Sequence, residues 1–214
     1  MNYVLFSRPK HDITMEYLFY YSKELVKLTE DSGLKAINLE KEGANKKTII
    51  ERIIKQKPNL IIFNGHGTAK TICGHKNEVI ISGDENSEVL KDAITYSLSC
   101  SSASKLGPEA VSNGALAFIG YKFDFAIGRD PDSEASPRRD KIARFFIEPS
   151  NILVSNLIQG KNAKYSVFIA KEKMRENIDY LSTTKDFPDA IHYAPYLYGN
   201  HAGLVIRGNE EASI

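Results

Sequence analysis

Two short stretches hold the residues able to do chemistry. NLIIFNGHGTAK (59–70) sets His66 between Gly65 and Gly67 directly after an apolar run, and ITYSLSCSSASKLG (94–107) sets Cys100 at the end of another. A thiol is a good nucleophile once it loses its proton, and an imidazole can take that proton or give one to a leaving group. The small residues around both leave backbone N–H groups open, so Gly67 N–H and Cys100 N–H could hold an oxyanion. Ser99, Ser101 and Ser102 keep bulk away from the thiol. Each residue also has a plain structural reading: a histidine in an N-G-H-G turn, and a cysteine serving as a small buried hydrophobe. Residue types alone leave both readings open.

The elements that must position this pair follow from periodicity. Tyr3 to Phe6 reads as a strand. Asp12 caps a helix with Ile13, Tyr17, Tyr21, Leu25 and Leu28 at helical spacing, stopped by Gly33. Ala36 to Leu39 is a short strand. Asn45 opens a helix carrying Ile49, Ile50, Ile53 and Ile54, which Pro58 closes. Leu60 to Phe63 is a continuous apolar strand of the kind buried on both faces of a parallel sheet. Residues 68 to 86 read as loop, with Val79 to Ile81 as half of a small hairpin. Ser87 caps a short helix to Ala93, Ile94 to Leu98 is a strand, 104 to 113 a helix, and Ala115 to Ile119 a strand. After a polar loop, RDPDSEASPRRDK (129–141), helices are expected over 142–160, over 163–181 and from near Pro188, then a strand over Gly203 to Ile206.

This alternation predicts a three-layer α/β sandwich with a mainly parallel central sheet and right-handed crossovers, as one domain over 1–214. In such sheets ligands bind beyond the carboxyl ends of the strands. His66 and Cys100 follow two successive strand ends, and neighbouring strands lie about 5 Å apart.

The 214 residues are 42% hydrophobic and 26% charged, with 28 Lys+Arg against 27 Asp+Glu for a net charge of +1. That balance gives no reason to expect nucleic acid or a membrane surface as partner. No apolar run reaches the 18 to 20 residues, roughly, of a transmembrane helix. Two cysteines make no disulfide framework, and a cytoplasmic location is expected.

The segments LIIFNGHG and ITYSLSC resemble the caspase-like, clan CD cysteine peptidases, a family that includes caspases, metacaspases, gingipains, clostripain, separase and bacterial CHAT-domain proteases. NGALAFIGYKF is similar to the next strand of the gingipain and CHAT branches. PYLYGNHAGLVIRG is similar to their closing L-x-G-D-P-x-L-x-L pattern, with Asn200-His201 in place of Asp-Pro. The resemblance touches residues 59–125 and 195–207. It implies a caspase-like fold and a thiol protease (a hydrolase) working through a thioester acyl-enzyme without a cofactor. It implies His66 as general acid/base, Cys100 as nucleophile and Gly67 as an oxyanion donor. A protein or peptide is the implied substrate, with regulation left to a partner protein or a larger assembly.

Family members that cut after Arg or Lys often carry Asp two residues before the nucleophile, where this chain has Leu98. Substrate-pocket candidates are Arg8 and Lys122 for an acidic side chain, and Asp12 and Asp124 for a basic one; each is also readable as a surface charge. The gingipain-like ending tilts the expectation toward P1 Arg or Lys, with Arg138-Arg139 as a self-processing site. Cys73-Gly74-His75 lacks a second ligand pair, so no metal is expected. Two alternatives stand beside the peptidase: a catalytically silent scaffold of the same fold, and a phosphate-binding sheet built on Gly65 and Gly67. The second is the weaker, because no G-x-G-x-x-G or Walker pattern is present.

Overall fold

A computed structural model describes residues 2–133, 136–186 and 189–214. Its centre is a six-stranded sheet of β1 (Tyr3–Arg8), β2 (Lys35–Glu40), β3 (Leu60–Asn64), β6 (Ile94–Leu98), β7 (Ala117–Tyr121) and β8 (Leu204–Gly208), in the order β2-β1-β3-β6-β7-β8. All neighbours run parallel except β7 and β8. A separate antiparallel hairpin joins β4 (Thr71–Cys73) to β5 (Val79–Ser82). The helices are α1 (Ile13–Tyr21), α2 (Lys23–Asp31), α3 (Lys46–Gln56), α4 (Gly83–Asn86), α5 (Leu106–Ser112), α6 (Ala143–Ile158), α7 (Ala163–Thr183) and α8 (Ala190–Gly203).

Every residue of β3, β6 and β7 is buried, as expected of strands covered on both faces, with Asn64, Thr95 and Ser97 the polar members. Alternation then sorts the side chains. Val4, Phe6, Leu60, Ile62, Ile94 and Ile119 face a core completed by α1, α2, α6, α7 and α8. Leu5, Ile61, Phe63 and Phe118 face the other way, onto Ile49 and Ile53 of α3 and Leu106 and Ala110 of α5. The result is the expected three-layer arrangement. Among the described residues no helix is long and apolar enough to cross a membrane.

Several local expectations change. The single helix expected after Asp12 is two, α1 and α2, broken at Ser22. The cause is Arg8: its Nη2 donates to Phe19 O at 2.6 Å and its Nε to Ser22 Oγ at 2.8 Å, so a buried guanidinium takes up the end of α1. Residues 71–82 form the hairpin rather than loop, and the 87–93 helix is one 3-10 turn over Ser87–Leu90. PYLYGN lies inside α8, so the closing segment is a helix running straight into β8. The expected helix start at Pro188 lies outside the described residues. The polar loop is tied down at Asp140, a buried carboxylate that accepts from Tyr17 OH, Asp130 N, Ile142 N and Ala143 N.

Candidate active site

β3 and β6 are paired in register, Asn64 opposite Leu98. His66 stands two residues beyond Asn64, and Cys100 two beyond Leu98, so equal extensions of adjacent strands deliver both side chains to one edge of the sheet. Both line a cavity of about 180 Å3, together with Thr14, Met15, Leu18, Phe125, Ile127 and Arg129.

Glycine is needed on both sides of His66 for closeness of approach. A Cβ on Gly65 would meet Cys73 O at 2.2 Å, and one on Gly67 would meet Thr71 O at 2.8 Å and the Ser99 side chain at 2.9 Å. The β4 strand thus packs directly under the histidine turn, with Cys73 N donating to His66 O at 2.8 Å. Around Cys100 a buried serine cluster fills the same role. Ser97 and Ser99 hydroxyls lie 2.6 Å apart, and Ser102 Oγ donates to Ser97 Oγ at 3.2 Å. Ser101 adopts φ 54°, a left-handed turn that a β-carbon disfavours. Its hydroxyl donates to Asp124 Oδ1 at 2.7 Å and its N–H to Phe123 O at 3.0 Å. Among the described residues neither Gly67 N–H nor Cys100 N–H donates to a backbone carbonyl.

The third member of the arrangement is Asp12. Its carboxylate caps α1, accepting from Met15 N at 2.8 Å, and its Oδ2 lies 2.8 Å from His66 Nε2. Strand β1 runs beside β3, and the chain leaving β1 carries Asp12 to the histidine. Burial by itself would raise the Asp12 pKa. The Met15 N–H and the His66 ring outweigh it, with His11 adding to them, and hold the carboxyl below the usual range. The Cys100 thiol moves up: burial dominates, a backbone hydrogen bond with Phe125 opposes it, and the Asp124 charge adds to the rise.

The other pocket candidates lie elsewhere. Arg8 is 1% exposed and its guanidinium bonds Ser22, Asn38, Glu40 and Phe19 O, so it holds β1, β2 and α1 together. Lys122 Nζ lies over the Phe123 ring, 4.9 Å from its centre. Asp124 serves the Ser101 turn. None of Arg8, Asp12, Lys122 or Asp124 lines the cavity. Arg129, absent from the sequence-based candidates, does. Its signal was faint: it is the first residue of the polar loop. A second missed residue is Asn200, buried, which grips both the N–H and the carbonyl of Ala126 at 2.9 and 2.8 Å and so fixes Phe125 and Ile127 at the cavity wall.

No family model and no curated protein matches the sequence. Solved structures do. The Arg-specific cysteine proteinase gingipain R superposes over 100% of this chain with a TM-score of 0.59 and 14% identity. The complex of Porphyromonas gingivalis RgpB pro- and mature domains superposes over 98% with a TM-score of 0.60 and 13% identity. This is the caspase-like fold of the gingipains. A further structure described as a protease gives 10% identity and a TM-score of 0.59 over 99% of the chain. The chain spans about half the length of these proteins, 47% for the first two and 48% for the third. The gingipain part of the expected resemblance therefore has structural counterparts, while the CHAT part has none among these three.

Proposed function

We propose that this chain, as one domain, is a cysteine endopeptidase with Cys100 as nucleophile and His66 as general acid/base. The observation that carries the proposal is the matched placement of the two residues at the ends of paired strands, on one cavity, with Asp12 at His66 Nε2. A carboxylate at Nε2 favours the tautomer protonated there. That leaves the Nδ1 lone pair for the thiol.

The reaction follows from these atoms. Nδ1 takes the Cys100 proton as sulfur attacks the scissile carbonyl carbon, forming the C–S bond and moving the C=O pair onto oxygen. Gly67 N–H and Cys100 N–H are the donors for that oxyanion, worth about 3 kcal/mol each where such donors have been removed elsewhere. The imidazolium, stabilised by Asp12, protonates the leaving amine as the C–N bond breaks. Water, deprotonated by the same nitrogen, then hydrolyses the thioester. The raised Cys100 pKa makes the base necessary, since little thiolate exists before His66 acts.

Among the described residues lining the cavity there is no carboxylate, and Arg129 is its one charged side chain besides the His66 ring, among largely apolar neighbours. This lining supports an apolar or acidic P1 side chain over the Arg or Lys preference suggested by the sequence ending. Self-processing at Arg138-Arg139, both exposed, would need that basic preference. A cytoplasmic setting and an external regulatory protein belong to the same proposal, the first resting on two free cysteines. The second draws support from the pro-domain complex of the RgpB structure.

The test uses fluorogenic peptides with P1 Arg, Lys, Asp, Asn and Leu, with intact mass followed in parallel, on the native protein and Cys100→Ala. Cleavage by the native protein alone establishes the peptidase. Silence from both, with Cys100 alkylated no faster than Cys73, replaces it with the scaffold reading, which the raised thiol pKa also fits.

A further inference from the structure

The chain has five histidines, and three of them stand together. The His11 ring lies 6.2 Å from His66 and 5.3 Å from His75, edge-on to both. His11 Nε2 lies 3.4 Å from Asp12 Oδ2, on the same oxygen that His66 Nε2 approaches to 2.8 Å. One donor atom from each of His11, Asp12 and His66 lies within 4.8 Å of the other two. Tetrahedral zinc with bonds of about 2.0–2.1 Å holds its donors about 3.3 Å apart, so the cluster needs only small side-chain adjustments to close on an ion. Two imidazoles and one carboxylate form a ligand set that zinc accepts with a fourth position open.

The surroundings of the His11 ring add to this geometry. The His11 side chain is 9% exposed, and its Nδ1 and the Nδ1 of His75 are both buried without a hydrogen-bond partner. Buried polar nitrogens without a partner mark surroundings that an ion or water can complete. Among the described residues His11 Nε2 has only the neutral Asn77 Oδ1, at 3.1 Å, besides Asp12.

We propose that His11, Asp12 and His66 bind one divalent transition-metal ion of the zinc class, and that occupancy switches the Cys100–His66 pair off. The second half rests on the peptidase reading. Its chemistry is a tautomer exchange. An ion on His66 Nε2 takes that nitrogen's lone pair, and the proton it carried moves to Nδ1. Nδ1, the base of the proposed reaction, becomes a donor and can no longer accept the Cys100 proton. Asp12 is withdrawn to the ion at the same time. Hard ions such as Mg2+, which prefer oxygen donors, fit this set poorly.

The test titrates metal-free protein with Zn2+ against a chromogenic chelator. One equivalent should bind the native protein, while His11→Gln and His66→Gln, checked for native circular dichroism, bind at least tenfold more weakly. Cys73→Ser and Cys100→Ala should bind as the native protein does. Unchanged binding in His11→Gln, or loss of binding in either cysteine variant, overturns the site. With one equivalent of Zn2+, peptide cleavage and Cys100 alkylation should fall at least fivefold in the native protein, recover with EDTA, and stay unchanged in His11→Gln. Cleavage indifferent to bound zinc overturns the switch and leaves the peptidase intact. Zinc bound as described in a protein that cleaves no peptide removes the peptidase and leaves the site.

Discussion

Asp12 Oδ2 and His66 Nε2 meet at 2.8 Å although 54 positions separate them in the chain. One carboxylate does two jobs there: it caps α1 through Met15 N and it orients the imidazole. The two jobs can be separated by substitution.

Asn is as good an N-cap as Asp, whereas Ala costs about 1 kcal/mol at that position. Asp12→Asn should therefore keep the urea midpoint of the native protein, and Asp12→Ala should lower it. Both should lose at least tenfold in kcat/KM, because neither holds the Nε2–H tautomer or stabilises the imidazolium. Equal activity in native protein and Asp12→Asn would remove Asp12 from the mechanism.

The Cys100 thiol is pushed up by burial, with Asp124 adding to it. A raised thiol pKa delays thiolate formation as pH climbs. The iodoacetamide rate at Cys100 should thus rise through a midpoint above the ordinary thiol range. Asp124→Asn removes a charge that opposes the thiolate and should move the midpoint down. It also keeps an acceptor for Ser101 Oγ. A midpoint that moves upward would contradict this account of the site.

Arg8 is a structural residue. Replacing it with Met strips four partners and leaves the broken end of α1 without its cation, for an expected loss of about 2–4 kcal/mol in chemical denaturation. The P1 preference should stay as it is. A variant of native stability with altered P1 choice would return Arg8 to the substrate pocket.

Arg129 lines the cavity proposed to receive substrate. If the cavity receives P1, Arg129→Glu should raise kcat/KM for P1 Arg relative to P1 Asp by tenfold or more. Asn200→Ala, which frees Ala126, should raise KM for every peptide without changing that ratio. Identical P1 profiles for native and Arg129→Glu would place the P1 side chain elsewhere.

Much of the framework was legible in the chain. The unbroken apolar strand at 60–63, the strand at 94–98, the caps at Asp12 and Asn45, and the glycine and serine surroundings of His66 and Cys100 are local facts, set by side-chain period and backbone sterics. Strand neighbours follow from connection rules, so the approach of His66 to Cys100 could be anticipated. The partner of the histidine could not. Asp12 reads equally well as a cap, a surface charge or a pocket acid, and only the pairing of β1 with β3 chooses among them.

Arg8 looked like a surface cation because charge is seldom buried. The fold buries it by supplying Glu40 and Asn38 from β2, and Ser22 and a carbonyl from the end of α1. Arg129 lines the cavity, and Asn200 braces its wall through Ala126, by the same long-range packing. The sequence by itself determined the layers and the strand ends that carry His66 and Cys100, because those depend on local periodicity. The tertiary structure decided which charges meet, because a pairing energy depends on distances that no spacing along the chain contains.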